Sequence, residues 1–200
     1  SPAGYIYSVG AFTNAGGTKN YGLMWSSYSV SGLAWTNIEW SEFGPGNLFN
    51  DISIAPDGDI IVGGLFTNLD GVSGATNIAS FDGITVKALS ALNGEVHAVT
   101  FGATGYLYAG GNFTNAGGIA NADYIAKWSG SKWEPLGSGG TNNVVYEIVV
   151  NSGKVYVSGS FTIAGGLTLT DRVAVWSNGA WQPFDIDLPG SAAVYSFLPA

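Results

Sequence analysis

Apolar and small residues alternate for about six positions, then give way to a glycine-rich turn, and the chain does this four times. The clearest instance is GYLYAGGNFTNAGG at 105–118; related stretches occupy 4–17, 58–71 and 153–166. Their Phe-Thr pairs fall at 12–13, 66–67, 113–114 and 161–162, so successive copies are offset by 54, 47 and 48 positions. A period of this length made of several short strands, with no helical periodicity, points to the four-stranded blade of a β-propeller rather than to a solenoid.

Lettering the strands of a blade a to d, the first copy supplies strand b at 4–13, strand c at 21–25 and strand d within 32–43. The second places a at 49–54, b at 58–67, c at 77–81 and d at 85–89. Strands a at 96–101 and 145–150, c at 124–128 and 172–176, and d at 132–136 and 180–184 repeat the plan. Tight turns are expected at Asp82-Gly83, Ser129-Gly130 and Asn178-Gly179, pairs that two-residue hairpins favour. Pro135 and Pro183 in strand d fit an outer edge strand, whose outward N–H needs no partner.

The segment 194–199 matches strand a, whereas the chain opens on strand b. The expected architecture is therefore all-β: one propeller of four blades, each of four antiparallel strands, with the ring closed by the C-terminal strand joining the N-terminal blade. The repeats are approximately 1–48 plus 192–200, 49–95, 96–143 and 144–191. Such closure leaves no sheet edge between the first and last blades. The alternative is an excerpt of a larger ring or tandem array. Ser1-Pro2, without methionine or a signal-like segment, points to processing or to an excerpt.

The stretches GGNFTNAGG at 110–118, Ile125-Ala-Lys-Trp128 and Trp133-Glu-Pro-Leu-Gly137 resemble the repeats of Rax2-type cortical marker proteins. Lys154-Val-Tyr-Val-Ser-Gly159, Val173-Ala-Val-Trp176 and Trp181-Gln-Pro-Phe184 resemble the kelch-like propeller repeat. Similar repeats occur in secreted bacterial proteins and phage structural proteins. The resemblance covers nearly the whole chain and implies a fold more than a function. The second copy departs from it, with Phe81 where other copies have Trp and Val86 where Trp133 and Trp181 stand. The first copy carries an insertion between strand c and the next strand a.

Composition narrows the functional classes. With 6 Lys and Arg against 14 Asp and Glu, the chain lacks a phosphate-neutralising patch, which argues against nucleic acid and against an anionic membrane surface. No apolar run reaches the ~18 residues of a membrane span, so no membrane insertion is expected. Charged residues make up 10%, well below the ~25% typical of soluble domains, and there is no cysteine. That composition suits an extracellular, cell-surface or virion location.

Candidate chemistry is sparse. Kelch-like propellers include copper oxidases that use Tyr, Cys and His, but this chain has no Cys and one His. His97 occupies a strand a position shared with Asn50, Tyr146 and Tyr195, which favours a structural role over a place in a triad. Glu39, Glu42, Asp51 and Glu147 show no spacing that singles out a glycosidase pair. Asp57-Gly-Asp59 and Asp185-Ile-Asp187 are fragments of calcium loops with too few ligands. No catalytic residue, metal or cofactor is therefore assigned. Asn112-Phe-Thr114 is an N-glycosylation sequon, read as a coincidence of the repeat.

Trp128, Trp133, Trp176 and Trp181 recur at repeat positions and are expected between blades. The insertion at 26–46 holds Trp35 and Trp40, one of which replaces the strand d Trp. With Tyr28, Asn37 and Glu39 they form the candidate binding surface, against the plain alternative of an extended hairpin on its own blade. The expected function is a non-catalytic structural or adhesion module that contacts a protein partner or neighbouring copies. The alternative is a carbohydrate-binding propeller lectin, although Ile163, in place of the Asn of the other copies, weakens a glycan site repeated in every blade.

Overall fold

The computed structural model describes residues 5–10, 23–29, 32–37, 47–168, 172–184 and 193–196, with the backbone alone at 5–6, 23–29 and 32–37. The fold is all-β and every strand pairing is antiparallel. The first sheet comprises β1 (Tyr5–Val9), β2 (Leu23–Ser29) and β3 (Gly32–Asn37). The second is β4 (Leu48–Ile54), β5 (Ile60–Leu65), β6 (Ile78–Phe81) and β7 (Val86–Ala88). The third is β8 (Val96–Phe101), β9 (Leu107–Gly111), β10 (Ile125–Trp128) and β11 (Trp133–Glu134).

In the fourth copy β12 (Val145–Asn151) and β13 (Lys154–Gly159) are followed by a two-stranded ribbon, β14 (Ile163–Ala164) and β15 (Leu167–Thr168). Strands β16 (Val173–Ser177) and β17 (Ala180–Pro183) then complete a sheet in the order β12-β13-β16-β17. Each four-stranded sheet is a meander whose second strand is mostly buried and whose fourth is an edge. Pro183 sits on such an edge, where its missing N–H costs no ladder bond.

Turn chemistry departs from expectation in two of three hairpins. Asn178-Gly179 forms the two-residue turn, both residues at positive φ, between the paired Ser177 and Ala180. Asp82-Gly83 and Ser129-Gly130 instead open four-residue loops, since Phe81 pairs with Val86 and Trp128 with Trp133. The reason is side-chain capture of the turn: Asp82 Oδ1 accepts from Ile84 N and Thr85 N, and Ser129 Oγ donates to Lys132 O.

The glycine-rich turn shows how one substitution changes local structure. Asn68 and Asn115 take the left-handed conformation and each opens a short 3-10 turn. The equivalent Ile163 is β-branched, which disfavours that conformation. It stays extended in β14, and the chain reverses at Gly165 and Gly166, with φ of 54° and 88°.

Consecutive sheets meet through the same parts each time. The phenylalanines of the Phe-Thr pairs, Phe66, Phe113 and Phe161, are fully buried. One core cluster joins the first and second sheets around Phe49, Val62 and Phe66, with Tyr7 and Val9 against it. A second joins the second and third around Ile61, Ile78, Val96 and Trp133, and a third joins the third and fourth around Leu136, Val145, Val157 and Phe161.

At each of the latter two joints a strand b glycine forms a socket. A Cβ on Gly63 would lie 2.6 Å from Val96 Cγ1, and one on Gly110 would lie 2.5 Å from Val145 Cγ1. Trp133 Nε1 donates across its joint to Leu89 O and Ser90 O, and Trp181 Nε1 to Leu136 O and Gly139 O. The between-sheet role expected of these tryptophans is what the structure shows. The third socket position is Ser158, fully buried, whose Oγ finds no hydrogen-bond partner among the described residues.

The strands a carry a bulge at one repeated place, where an extra residue (Asn50, His97 or Tyr146) interrupts the ladder with strand b. These residues line up from sheet to sheet. Asn50 Nδ2 donates to Glu95 Oε1 and Val96 O, the His97 and Tyr146 rings lie 5.4 Å apart, and Tyr146 stacks on Tyr195 at 4.7 Å. Residues 193–196 thus continue the series, with Val194 N donating to Gly159 O. Among the described residues β1 pairs with β2 alone.

Candidate functional site

A groove of about 490 Å³ opens between the second and third sheets, at the end where the a–b and c–d turns lie. Its floor is Ile61 and Leu107, both buried members of the core beneath. One wall is apolar and comes from the third sheet: Phe101 and Trp128 are partly buried against that core and line the groove, and Leu89, just after β7 in the second sheet, adds to the apolar lining. Trp128 is held by the neighbouring Trp133 ring, 5.3 Å away.

The opposite wall is polar and comes from the second sheet. Asp59 precedes β5, Ser80 lies in β6 and Lys87 in β7, so antiparallel pairing brings the three side chains together. Ser80 Oγ donates to Asp59 Oδ2 at 3.0 Å, and Lys87 Nζ lies 3.2 Å from the same oxygen and 3.0 Å from Asp82 Oδ2. Hydrogen bonds from Thr85 N, Lys87 and Ile84 N hold the Asp82 carboxyl well below the usual carboxylate range. Asp82, then Asp59, raise the Lys87 ammonium above its ordinary value, so it stays charged at any physiological pH. Asp57 closes the rim, accepting from Asp59 N at 3.2 Å.

A second polar strip follows the bulges on the inner strands. Burial pushes the Asp51 carboxyl up, opposed by hydrogen bonds from Val99 N and Ile52 N, with Glu147 adding repulsion. Burial pushes the His97 imidazole down, against the pull of Glu95 3.8 Å away. Among the described residues no group of three or more His, Asp or Glu is placed to hold a metal.

Tyr28 lies opposite Leu33, Trp35 opposite Ser26 and Asn37 opposite Met24 in the long β2–β3 hairpin. Glu39, Trp40 and Glu42 fall outside the described residues, as do Asp185 and Asp187. Asp57 and Asp59, weighed as a calcium fragment, belong to the groove instead. Sequence reasoning missed Ser80, Lys87 and Trp128 as one site. The available signal was the 47-residue offset between the second and third copies, which sets Asp59 against Tyr106, Ser80 against Lys127 and Lys87 against Glu134.

No protein-family model matches the chain, and no curated protein matches it.

Proposed function

We propose that the chain is a four-bladed β-propeller that works by binding rather than catalysis, as a structural or adhesion module outside the cytoplasm, on a cell or virion surface. The observation that carries this reading is the repeated joint. Socket glycines receive the next sheet's valine and indole N–H groups reach across, so successive sheets are fixed to one another in a single way. A fixed array of this kind presents loops at constant spacing, which suits docking to a protein partner or to neighbouring copies. Low charge and absent cysteine support the location. Closure by 193–196 beside β1 is part of the proposal, supported by the way Val194 and Tyr195 continue the strand a series.

The groove favours a second reading, a carbohydrate-binding propeller, because it sets an aromatic wall against fixed hydrogen-bonding groups. Light scattering combined with a glycan array on the same preparation separates the two. A large regular oligomer without sugar binding supports the structural module; a discrete monomer that binds sugar supports the lectin. A monomer that neither binds sugar nor self-associates, and captures no surface protein, overturns both.

A further inference from the structure

We infer that the groove is a subsite for one neutral pyranose residue, opened by the short side chains that the second sheet carries in this row; this rests on the carbohydrate reading. The third sheet shows one way in which the repeat fills the same row; the fourth fills it with Lys154, Val175 and Gln182. Tyr106 lies partly buried against the core between the third and fourth sheets. Lys127 Nζ sits 4.5 Å from the centre of its ring and 3.4 Å from Glu134 Oε2. Phenol, alkyl chain and ion pair together cover that face.

Forty-seven positions earlier the same row reads Asp59, Ser80 and Lys87. A carboxylate and a hydroxyl replace a phenol and a long ammonium chain, and the groove is the space so released. The underlying core does not need this change, since Ile61 and Leu107 are buried in one continuous cluster regardless.

What the groove offers matches a sugar ring. A pyranose has an apolar C–H face and a rim of hydroxyls that both donate and accept. Phe101 and Trp128 provide the apolar surface. Asp59 Oδ2 is held by Ser80 and Lys87, which fixes the carboxylate, while Oδ1 accepts no hydrogen bond among the described residues. Lys87 has three N–H donors and engages two carboxylates. One free acceptor beside one free donor reads two adjacent hydroxyls, the first donating to Asp59 and the second accepting from Lys87. Asp57, Asp59 and Asp82 against a single Lys87 leave the rim negative, which disfavours sialic and uronic acids and selects neutral sugars.

The test uses the whole chain and a panel of methyl glycosides of glucose, galactose, mannose, fucose and N-acetylglucosamine, with sialic and glucuronic acids as anionic probes. Tryptophan fluorescence and saturation-transfer NMR report binding. The triple variant D59Y/S80K/K87E rebuilds the row of the third sheet, so it refills the groove with a side-chain set that the third sheet already accommodates. Asp59→Asn keeps size and removes charge. Saturable binding of at least one neutral glycoside is expected, weakened about tenfold or more in both variants, since each forfeits a charge-assisted hydrogen bond. Neutral-sugar binding unchanged in both variants overturns the subsite and leaves the carbohydrate reading standing. Preference for the anionic probes overturns the subsite as described. Absence of any sugar binding by the native chain at about 10 mM, where a millimolar affinity would show, overturns both.

Discussion

Gly110 is the most direct handle on the joint between the third and fourth sheets. Its φ lies outside the left-handed region, so glycine is not required there for backbone reasons. What requires it is the approach of β12: an alanine Cβ would lie 2.5 Å from Val145 Cγ1, 3.1 Å from Val145 Cβ and 3.0 Å from Ile148 Cδ1. Carbon atoms rest at about 3.5–4.0 Å, so roughly 1 Å of movement is needed. Rotating Val145 does not move its Cβ, and β12 itself must retreat from β9. Overpacking of this kind costs about 1–3 kcal/mol. At about 2–4 °C per kcal/mol for a chain of this size, Gly110→Ala lowers Tm by about 2–12 °C. Val145→Ala alone opens a cavity and also destabilises, by about 1–3 kcal/mol. In the double variant the two defects partly compensate, because the truncated side chain removes the 2.5 Å clash with Cγ1 while the closer-than-usual contacts with Cβ and Ile148 Cδ1 remain. Urea and thermal unfolding of the wild type, both single variants and the double variant give the coupling. A compensation of about 1 kcal/mol or more is expected; costs that add within about 0.5 kcal/mol refute the socket.

Trp133→Phe removes the donor to Leu89 O and Ser90 O from a fully buried site, and lowers stability by about 1–3 kcal/mol in urea unfolding. Trp181→Phe, at a half-buried indole, costs less in the same assay. Burial favours neutral His97 in the folded chain, so the unfolded chain takes up the proton first; stability is fully present above the ordinary histidine value of about 6.5 and falls as pH drops below it. His97→Asn, which places there the residue found at position 50, flattens that part of the profile of unfolding midpoint against pH. Asn142 Oδ1 accepts from Thr162 N and Ile163 N while Nδ2 donates to Thr162 Oγ1, so Asn142→Ala costs about 1–2 kcal/mol. Asn93→Ala, which loses one fewer bond, costs less by the same measurement.

Strand positions were legible because their side-chain pattern is local. Val96–Phe101 forms the strand its sequence predicts, residue for residue, and the later b, c and d strands agree to within a few positions. The outward placement of Pro183 and the between-sheet role of Trp133 followed from repeat position alone. Three kinds of feature escaped. The bulges at Asn50, His97 and Tyr146 look like ordinary alternation until the partner strand shows two residues facing one. The ribbon at Ile163–Ala164 depends on whether a residue tolerates a left-handed backbone, a constraint visible only once the turn of the other copies is known. The groove is a property of two sheets at once: Asp59 and Ser80 are unremarkable in their own strands, and their meaning comes from the Trp128 wall that another sheet sets opposite them.

The joint is also a statement about ancestry. Socket and knob lie on opposite sides of one repeat unit, as Val96 and Gly110 do within the third sheet. An interface of this polarity is head-to-tail, so an in-frame duplication of the unit delivers both halves of a new contact in one event. Growth of the array requires no invention of surface, and only the first and last units must adapt. Within the array each unit is then free to vary on faces the socket does not use, as the row Asp59, Ser80 and Lys87, then Tyr106, Lys127 and Glu134, then Lys154, Val175 and Gln182 does from one unit to the next.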